Sequence, residues 1–238
     1  MNATDLALFS HLVKRSEAEL SLPRTALLIA QVGQPQLDIP HYMHLLDELG
    51  EAARAKIASA GQTSGAIDIV LRFVYGEIGF RGNGDDYYDV RNSFLSDVLD
   101  RRIGIPITLA IVLIEILNRA GIEACGISFP GHYLARAVAP SGAVYIDPFS
   151  GQILASDQLR DLYQRMTGSS RPVDPQLFEP STKRGTLVRM LNNLRGIYMQ
   201  KGDREKLREI LQCMNVLEPS KELAEQIDRL SKLASSAN

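Results

Sequence analysis

The run Ile105–Gly121, IPITLAIVLIEILNRAG, constrains the fold more than any other part of the chain. Read at 3.6 residues per turn it is apolar on nearly every side, and Glu115 is its one internal acid. A helix of that kind must be buried over most of its surface, so the remaining chain has to wrap around it. Pro106 suits the first turn, where a fixed φ and a missing N–H cost nothing, and Gly121 supplies a left-handed cap at the far end. Glu115 is expected to reach solvent or a polar partner.

The flanking sequence supplies the wrapping. Asp5 to about Leu20 is polar with scattered apolar positions, and Thr25–Val32 is a short apolar segment ended by Gly33 and Pro35. Pro40 suits a helix start, followed by an apolar stripe that includes Tyr42, Leu46, Leu49, Ala53 and Ile57 and is punctuated by Gly61 and Gly65. Ala66–Ile78 reads as a further helix, Arg81–Asp86 as a turn-rich loop, and Ser93–Asp100 as one or two helical turns. After the apolar helix come three strand-like runs, Glu123–Phe129, His132–Val138 and Ala143–Ile146, with Pro140-Ser141-Gly142 as a hairpin turn. Helices followed by an antiparallel sheet make an α+β plan, not an alternating βαβ one. Beyond Gln152 the pattern is helical again.

Residues 169–184 are rich in Pro and Ser and read as a linker between a domain at 1–168 and a helical segment at 185–238. In that segment Leu191, Leu194 and Tyr198 line one helix, Gly202-Asp203 makes a turn, and Leu207, Leu211 and Met214 line a second. The spacing fits one tetratricopeptide repeat of about 34 residues. A single repeat cannot bury its own face, so it packs on the preceding domain or offers that face to a partner.

Formal net charge is −2, which gives no global basic field to draw nucleic acid or an anionic membrane. No stretch approaches the ~20 apolar residues that span a bilayer, and the first 20 residues lack a basic start followed by an apolar core. Cys125 and Cys213 stand at unrelated positions, so neither a disulfide framework nor a cysteine zinc site is expected. His41 and His44 share a helical face, but a solvated helix start explains them better than a metal. The expectation is a cytoplasmic protein without metal or cofactor.

Chemically, three positions stand out: the head of the apolar helix, His132 and Asp147. A nucleophile at a helix N-terminus gains from free N–H groups and the helix dipole. A histidine on the next strand can take its proton, and an aspartate on the following strand can orient the imidazole. The segments Gly104-Ile105-Pro106-Ile107-Thr108-Leu109-Ala110, Gly131-His132-Tyr133-Leu134 and Tyr145-Ile146-Asp147-Pro148 resemble the G-x-C-x-x-x-A, histidine and aspartate motifs of transglutaminase-like (papain-type) enzymes. Pro106 stands where those enzymes carry the catalytic cysteine.

Longer runs, YYDVRNSFLSDVLDRRIGIPITLAIVLIEILNRAGI, GISFPGHYLARA, YIDPFSGQIL and the earlier LLIAQVGQPQLDIPHYMHLLDELG, resemble the SirB-type family of bacteria. That resemblance implies a transglutaminase-like domain joined to a C-terminal tetratricopeptide segment, Gly-Ile-Pro as the family's usual form, and no settled reaction. Its name reflects a suggested link to regulation of a bacterial virulence or invasion regulator.

Proline has no nucleophile, so the expected function is a non-catalytic module that binds a protein or ligand through the cleft or the C-terminal hairpin. The alternative is an unconventional hydrolase or acyltransferase working through His132 and Asp147. Thr108 lies about 200° round the helix from Pro106 and is expected to face away. Cys125 reads as a core thiol, Ser93 as an N-cap and Ser96 as a weaker one. Asn92, Arg101, Arg102, Gly131 and His132 gather near one locus and suggest a binding cleft. Arg101 and Arg102 read equally as cations at a helix C-terminus, and Tyr87 and Tyr88 as cleft wall or core.

Overall fold

Three helices precede the apolar run: α1 (Ala3–Val13), α2 (Leu22–Ala30) and α3 (Ile39–Ser59). The computed structural model describes residues 1–60 and 65–235, so the expected break at Gly61 lies outside the described residues. Asn2 caps α1 with its side chain on the Asp5 N–H, and Asp38 does the same for α3 on the His41 N–H. Helix α1 ends well before Leu20, because Lys14–Glu19 forms turns instead. Nearly all of α2 is buried, which makes it a second internal helix.

Ala66–Ile78 is one continuous helical stretch of two kinds. It begins as α4 (Ala66–Leu71) and widens into a π-helical turn over Arg72–Ile78, closed by Gly79 at φ 86°. A short parallel pair follows, β1 (Arg81–Gly82) against β2 (Ile103–Gly104), with α5 (Leu95–Arg101) between them. The apolar run then forms α6 (Pro106–Arg119). It is buried from Pro106 to Ile114 and again at Ile116 and Leu117. Glu115 pairs with Arg119, which also holds Asp47 of α3 at 2.7 Å.

The sheet is a four-stranded antiparallel meander in chain order: β3 (Ala124–Ile127), β4 (Leu134–Ala139), β5 (Gly142–Asp147) and β6 (Gln152–Leu154). Strand β6 occupies residues expected to be helical; the Ser150-Gly151 turn, with Gly151 at φ 73°, returns the chain to pair Ile153 with Ile146. One face of the sheet, with Ala135, Ala137 and Ile146, joins the α6 core. On the other, Ile127, Phe129 and Leu134 pack with Leu159 and Leu162 of α7 (Ser156–Thr167). The period-2 alternation of β4 therefore serves two cores at once.

Segment 169–184 is not a free tether. Its Phe178 and Val173 pack on the second cluster, and Pro180 bridges Ile127. Helices α8 (Lys183–Lys201), α9 (Arg204–Leu217) and α10 (Lys221–Ser235) follow. Leu187, Leu191, Leu194, Ile210 and Leu211 lie in the same core as α2 and α6. Arg184 of α8 also pairs with Glu17 and donates to the Val13 carbonyl, which ties the two ends of the chain together. Among the described residues no helix is long and apolar enough to cross a membrane.

The crossing of α3 and α6 is close because Gly50 has no side chain. A Cβ there would overlap the Arg119 side chain. Gly50→Ala is expected to destabilise the protein by ~1–3 kcal/mol through overpacking, even though alanine is the better helix former by ~1 kcal/mol. The denaturant midpoint, at unchanged m-value, measures it.

Candidate functional site

The head of α6 is fixed by Thr108, not by a residue ahead of the helix. Its Oγ1 accepts from the Ile105 N–H at 3.2 Å and donates to the Asn92 carbonyl at 2.7 Å. The hydroxyl is buried and committed to these bonds. Pro106 takes the first turn and leaves the N–H groups of Ile107 and Thr108 as the helix's open donors.

His132 follows Gly131, whose φ of +65° turns the chain back between β3 and β4. The turn is closed by the His132 N–H on the Phe129 carbonyl at 3.1 Å. His132 is therefore just ahead of β4, and Asp147 is the last residue of β5; antiparallel pairing brings them to the same end of the sheet. His132 Nε2 and Asp147 Oδ1 are 2.8 Å apart, with His132 only 8% exposed. Asp147 further accepts from the Phe149 N–H and the Ser150 hydroxyl, both at 2.9 Å. That leaves His132 Nδ1 directed at the cleft without a protein partner among the described residues.

The turn after Asp147 is clamped from two sides. Tyr75, carried by the π-helical turn, donates its hydroxyl to the Pro148 carbonyl at 3.0 Å, and the Gly82 N–H donates to the Phe149 carbonyl at 3.0 Å. A Cβ on Gly82 would run into the Phe149 ring, and one on Gly151 into Tyr75. The widened turn thus has an evident use in this fold: it delivers Tyr75 to the aspartate's loop.

Tyr87, Ile105, Pro106, Ile107, Gly131, His132, Tyr133, Arg189 and Asn193 line a cleft of about 190 Å3 over this pair. Pro106 and His132 thus share one cavity, as the motif spacing suggested. Arg189 and Asn193 were not legible as site residues. They lie one turn apart on α8, and nothing in the sequence connects that helix face to the sheet. Arg189 donates to Ser128 Oγ at 2.8 Å, the Phe129 carbonyl at 2.9 Å and the His132 carbonyl at 2.5 Å, with its guanidinium 5.4 Å from the Tyr133 ring centre. It therefore holds the histidine turn in place from the C-terminal helices.

Other expected site residues serve as scaffold. Asn92 is fully buried, accepts from Asn83 Nδ2, and donates to the Asp86 and Tyr87 carbonyls at 2.7 and 3.2 Å. Arg101 lies 3.3 Å from Asp89, away from the cleft. Burial opposes ionisation of Asp89, but bonds from Arg91 and the nearby guanidinium charges hold its carboxyl below the usual range. Arg102, at φ 59°, caps α5 in the left-handed region and donates to the Ile78 carbonyl at 3.0 Å. Tyr88 is 67% exposed, and its neighbour Tyr87 takes the place in the cleft wall, 6.3 Å from Phe149.

The remaining nucleophile candidates lie elsewhere. Ser93 and Ser96 are buried in and around α5, and Phe94, not Ser93, stands at its N-cap. Cys125 is half-buried on β3 opposite Arg136, with its thiol pKa pushed up by burial. His41 rests edge-on against Tyr42, and His44 lies 3.3 Å from Glu48. A larger, shallow hollow of about 670 Å3 is lined by residues 34–38 with His41 and Tyr42, where the Asp38 side chain caps α3 and the Tyr42 hydroxyl donates to Asp100. Among the described residues no three His, Cys, Asp or Glu side chains converge on a metal position.

Asp147 sets an acid limb on stability. Burial pushes its carboxyl pKa up, but the His132 bond and charge, the Phe149 N–H and the Ser150 hydroxyl outweigh that and hold it below the ordinary value. A depressed native pKa contributes stability that is present above the unfolded-chain value of about 4 and is lost as pH falls through the native one. The stability difference between wild type and Asp147→Asn is therefore expected to be largest above about pH 5 and to shrink below about pH 4. Urea unfolding at a series of pH values checks it, and a difference that does not vary with pH would refute it.

Comparison with known proteins agrees with this geometry. The model of the transglutaminase-like superfamily matches residues 40–192, from the start of α3 into α8. A UPF0162 protein of Xylella fastidiosa is 37% identical over 197 residues, covering 81% of this chain and 70% of its own length. A UPF0162 protein of Pseudomonas aeruginosa is 29% identical over 83% of this chain and 72% of its own. A shorter match, 33% identical over 94 residues, covers 36% of this chain and 15% of F-box only protein 21 of Homo sapiens. No solved structure matches the chain significantly. With the helix head, the histidine turn and the aspartate strand in the superfamily's order, and relatives along most of its length, the chain belongs to the transglutaminase-like superfamily and to its UPF0162 proteins.

Proposed function

We propose that this protein is a non-catalytic, SirB-type member of the superfamily, a cytoplasmic binding or regulatory module that contacts its ligand or partner through the cleft over His132. The observation that carries this reading is Pro106 in the cleft wall alongside His132, with neither a thiol nor an aliphatic hydroxyl among the lining residues. Catalysis by acyl transfer to the enzyme needs a nucleophile within hydrogen-bond reach of its base. Thr108 is the nearest hydroxyl along the helix, and its hydrogen bonds are spent on the Asn92 carbonyl and the helix head.

The C-terminal helices support the cleft as the contact surface. The length of α8–α9 and its Gly202-Asp203 turn suit a tetratricopeptide-type hairpin. Leu187, Leu191 and Leu194 of α8 and Ile210 and Leu211 of α9 are spent on the common core, while Met199 is exposed. The same helices deliver Arg189 and Asn193 to the cleft.

One observation favours the alternative of an unconventional hydrolase or acyltransferase. The His132–Asp147 pair keeps a base-and-orienter geometry at 2.8 Å, with Nδ1 free to activate a water. A screen of activated esters, peptide amides and glutamine donors separates the readings. Wild-type turnover is expected to be no higher than that of His132→Ala. Turnover that is lost in His132→Ala at unchanged Tm would establish the enzyme instead.

Pro106→Cys tests the geometry directly. A thiol there would stand at the N-terminus of α6 beside His132, and both lower a thiol's pKa. At pH 7 it is expected to react with iodoacetamide at least about tenfold faster than Cys125, and to slow in the Pro106→Cys/His132→Ala pair. Equal rates for the two cysteines would mean that position 106 does not share the histidine's cleft.

A further inference from the structure

The cleft gathers donors that the protein does not itself use. Asn193 is half-buried on α8, and its carboxamide has no protein partner among the described residues; the same holds for the Tyr87 hydroxyl. Both residues line the cavity together with the first turn of α6, where the Ile107 N–H, next after Pro106, has no acceptor among the described residues. Arg189 completes the set. Its bonds all go to neutral acceptors, the Ser128 hydroxyl and the Phe129 and His132 carbonyls.

Charge decides what such a set can hold. Among the described residues Arg189 has no carboxylate partner, and the groups acting on it electrostatically are the phenols of Tyr133 and Tyr87. A part-buried cation without a counter-ion lacks the compensation that a buried charge requires. Burial pulls its pKa down accordingly. Asp147 does not supply the missing charge, because it lies behind His132 with its oxygens committed to His132 Nε2, the Phe149 N–H and the Ser150 hydroxyl. One uncompensated positive charge among neutral donors balances a single negative charge; a dianion would keep one charge unpaired. The cavity, at about 190 Å3, is smaller than the ~300–1,000 Å3 of sites that enclose a drug-sized ligand, so it holds the end of a molecule.

We infer that the cleft over His132 is a carboxylate-binding site, in which Arg189 and Asn193 from α8 and the open Ile107 N–H of α6 receive the carboxylate of a small acid or of a peptide C-terminus. This rests on the non-catalytic binding reading and adds the chemistry of the ligand. Arg189 supplies the charge and the fork geometry, Asn193 and the Ile107 N–H supply direction, and Tyr87 closes the outer wall. Pro106 lines the same cleft and has no N–H, so the backbone donor there comes from the residue after it.

Calorimetric titration of the full chain with N-acetylglycine and its neutral twin N-acetylglycinamide, and with acetyl-Ala-Ala-Gly as acid and amide, tests the assignment. Each acid is expected to bind at least about tenfold more tightly than its amide. Asn193→Asp, which sets a carboxylate one helical turn from Arg189 at a half-exposed position without cutting a hydrogen bond, is expected to weaken the acids at least about tenfold with Tm unchanged or raised. Arg189→Lys keeps the charge but loses the fork, and is expected to retain part of the preference. Tighter binding of the peptide acid than of N-acetylglycine identifies a protein C-terminus as the source, and equal binding identifies a small free acid. Equal affinity for acid and amide, equally good competition by inorganic phosphate, no saturable binding of either acid, or an unchanged Asn193→Asp would each overturn the assignment. Hydrolysis of the amides by the wild type would overturn the non-catalytic reading itself, whereas equal acid and amide affinity without hydrolysis would leave that reading intact.

Discussion

Everything in this fold depends on how the first turn of α6 is anchored. A helix this apolar has no surface to spare for water, so its leading N–H groups must be met, removed or turned into something useful. Thr108 meets the one at Ile105 and, through the Asn92 carbonyl, fastens the helix to the loop ahead of α5. Proline removes the next. What remains at the cavity is the Ile107 N–H, and the histidine turn, Tyr87 and α8 form the other walls of that opening.

The His132–Asp147 pair is also a structural clasp. Asp147 accepts three hydrogen bonds at the mouth of the β5–β6 turn, and only one of them comes from the histidine. Removing the cysteine from such a site costs no fold stability, since a proline is at home in the first helical turn. Removing the aspartate would leave the part-buried His132 and Phe149 N–H groups without their acceptor, which is the expensive kind of loss, while the exposed Ser150 hydroxyl can turn to water. The chemistry and the scaffold of this site are therefore separable at position 106 and inseparable at position 147.

The elements that were readable from sequence are those whose pattern is local. Pro106 and Gly121 bracket α6, alternation marks β4, and Pro140-Ser141-Gly142 marks the hairpin; each appears close to where expected. Strand β6 was not readable, because three residues after a Gly turn become a strand only through pairing with β5. The same limit applied to the site. His132 and Asp147 are announced by Gly-His and Asp-Pro motifs, whereas Arg189 and Asn193 differ in no local way from other polar residues on a helix. Asn92, Arg101 and Arg102 looked functional because they sit near the motif in sequence, yet their hydrogen bonds run to carbonyls and carboxylates of the surrounding loops.

The bonds from Arg189 to the Phe129–His132 turn have a consequence in time as well as in space. Chains emerge from the ribosome N-terminus first, and domains fold as their segments become available. The central helix, the sheet and the aspartate are all synthesised before α8, so they can assemble while the histidine turn still lacks its clamp. The cleft gains its shape and its positive charge only when residues 189 and 193 arrive. During synthesis the cleft therefore lacks one of its walls until the C-terminal helices are made, and the same helices complete the core around α2 and α6.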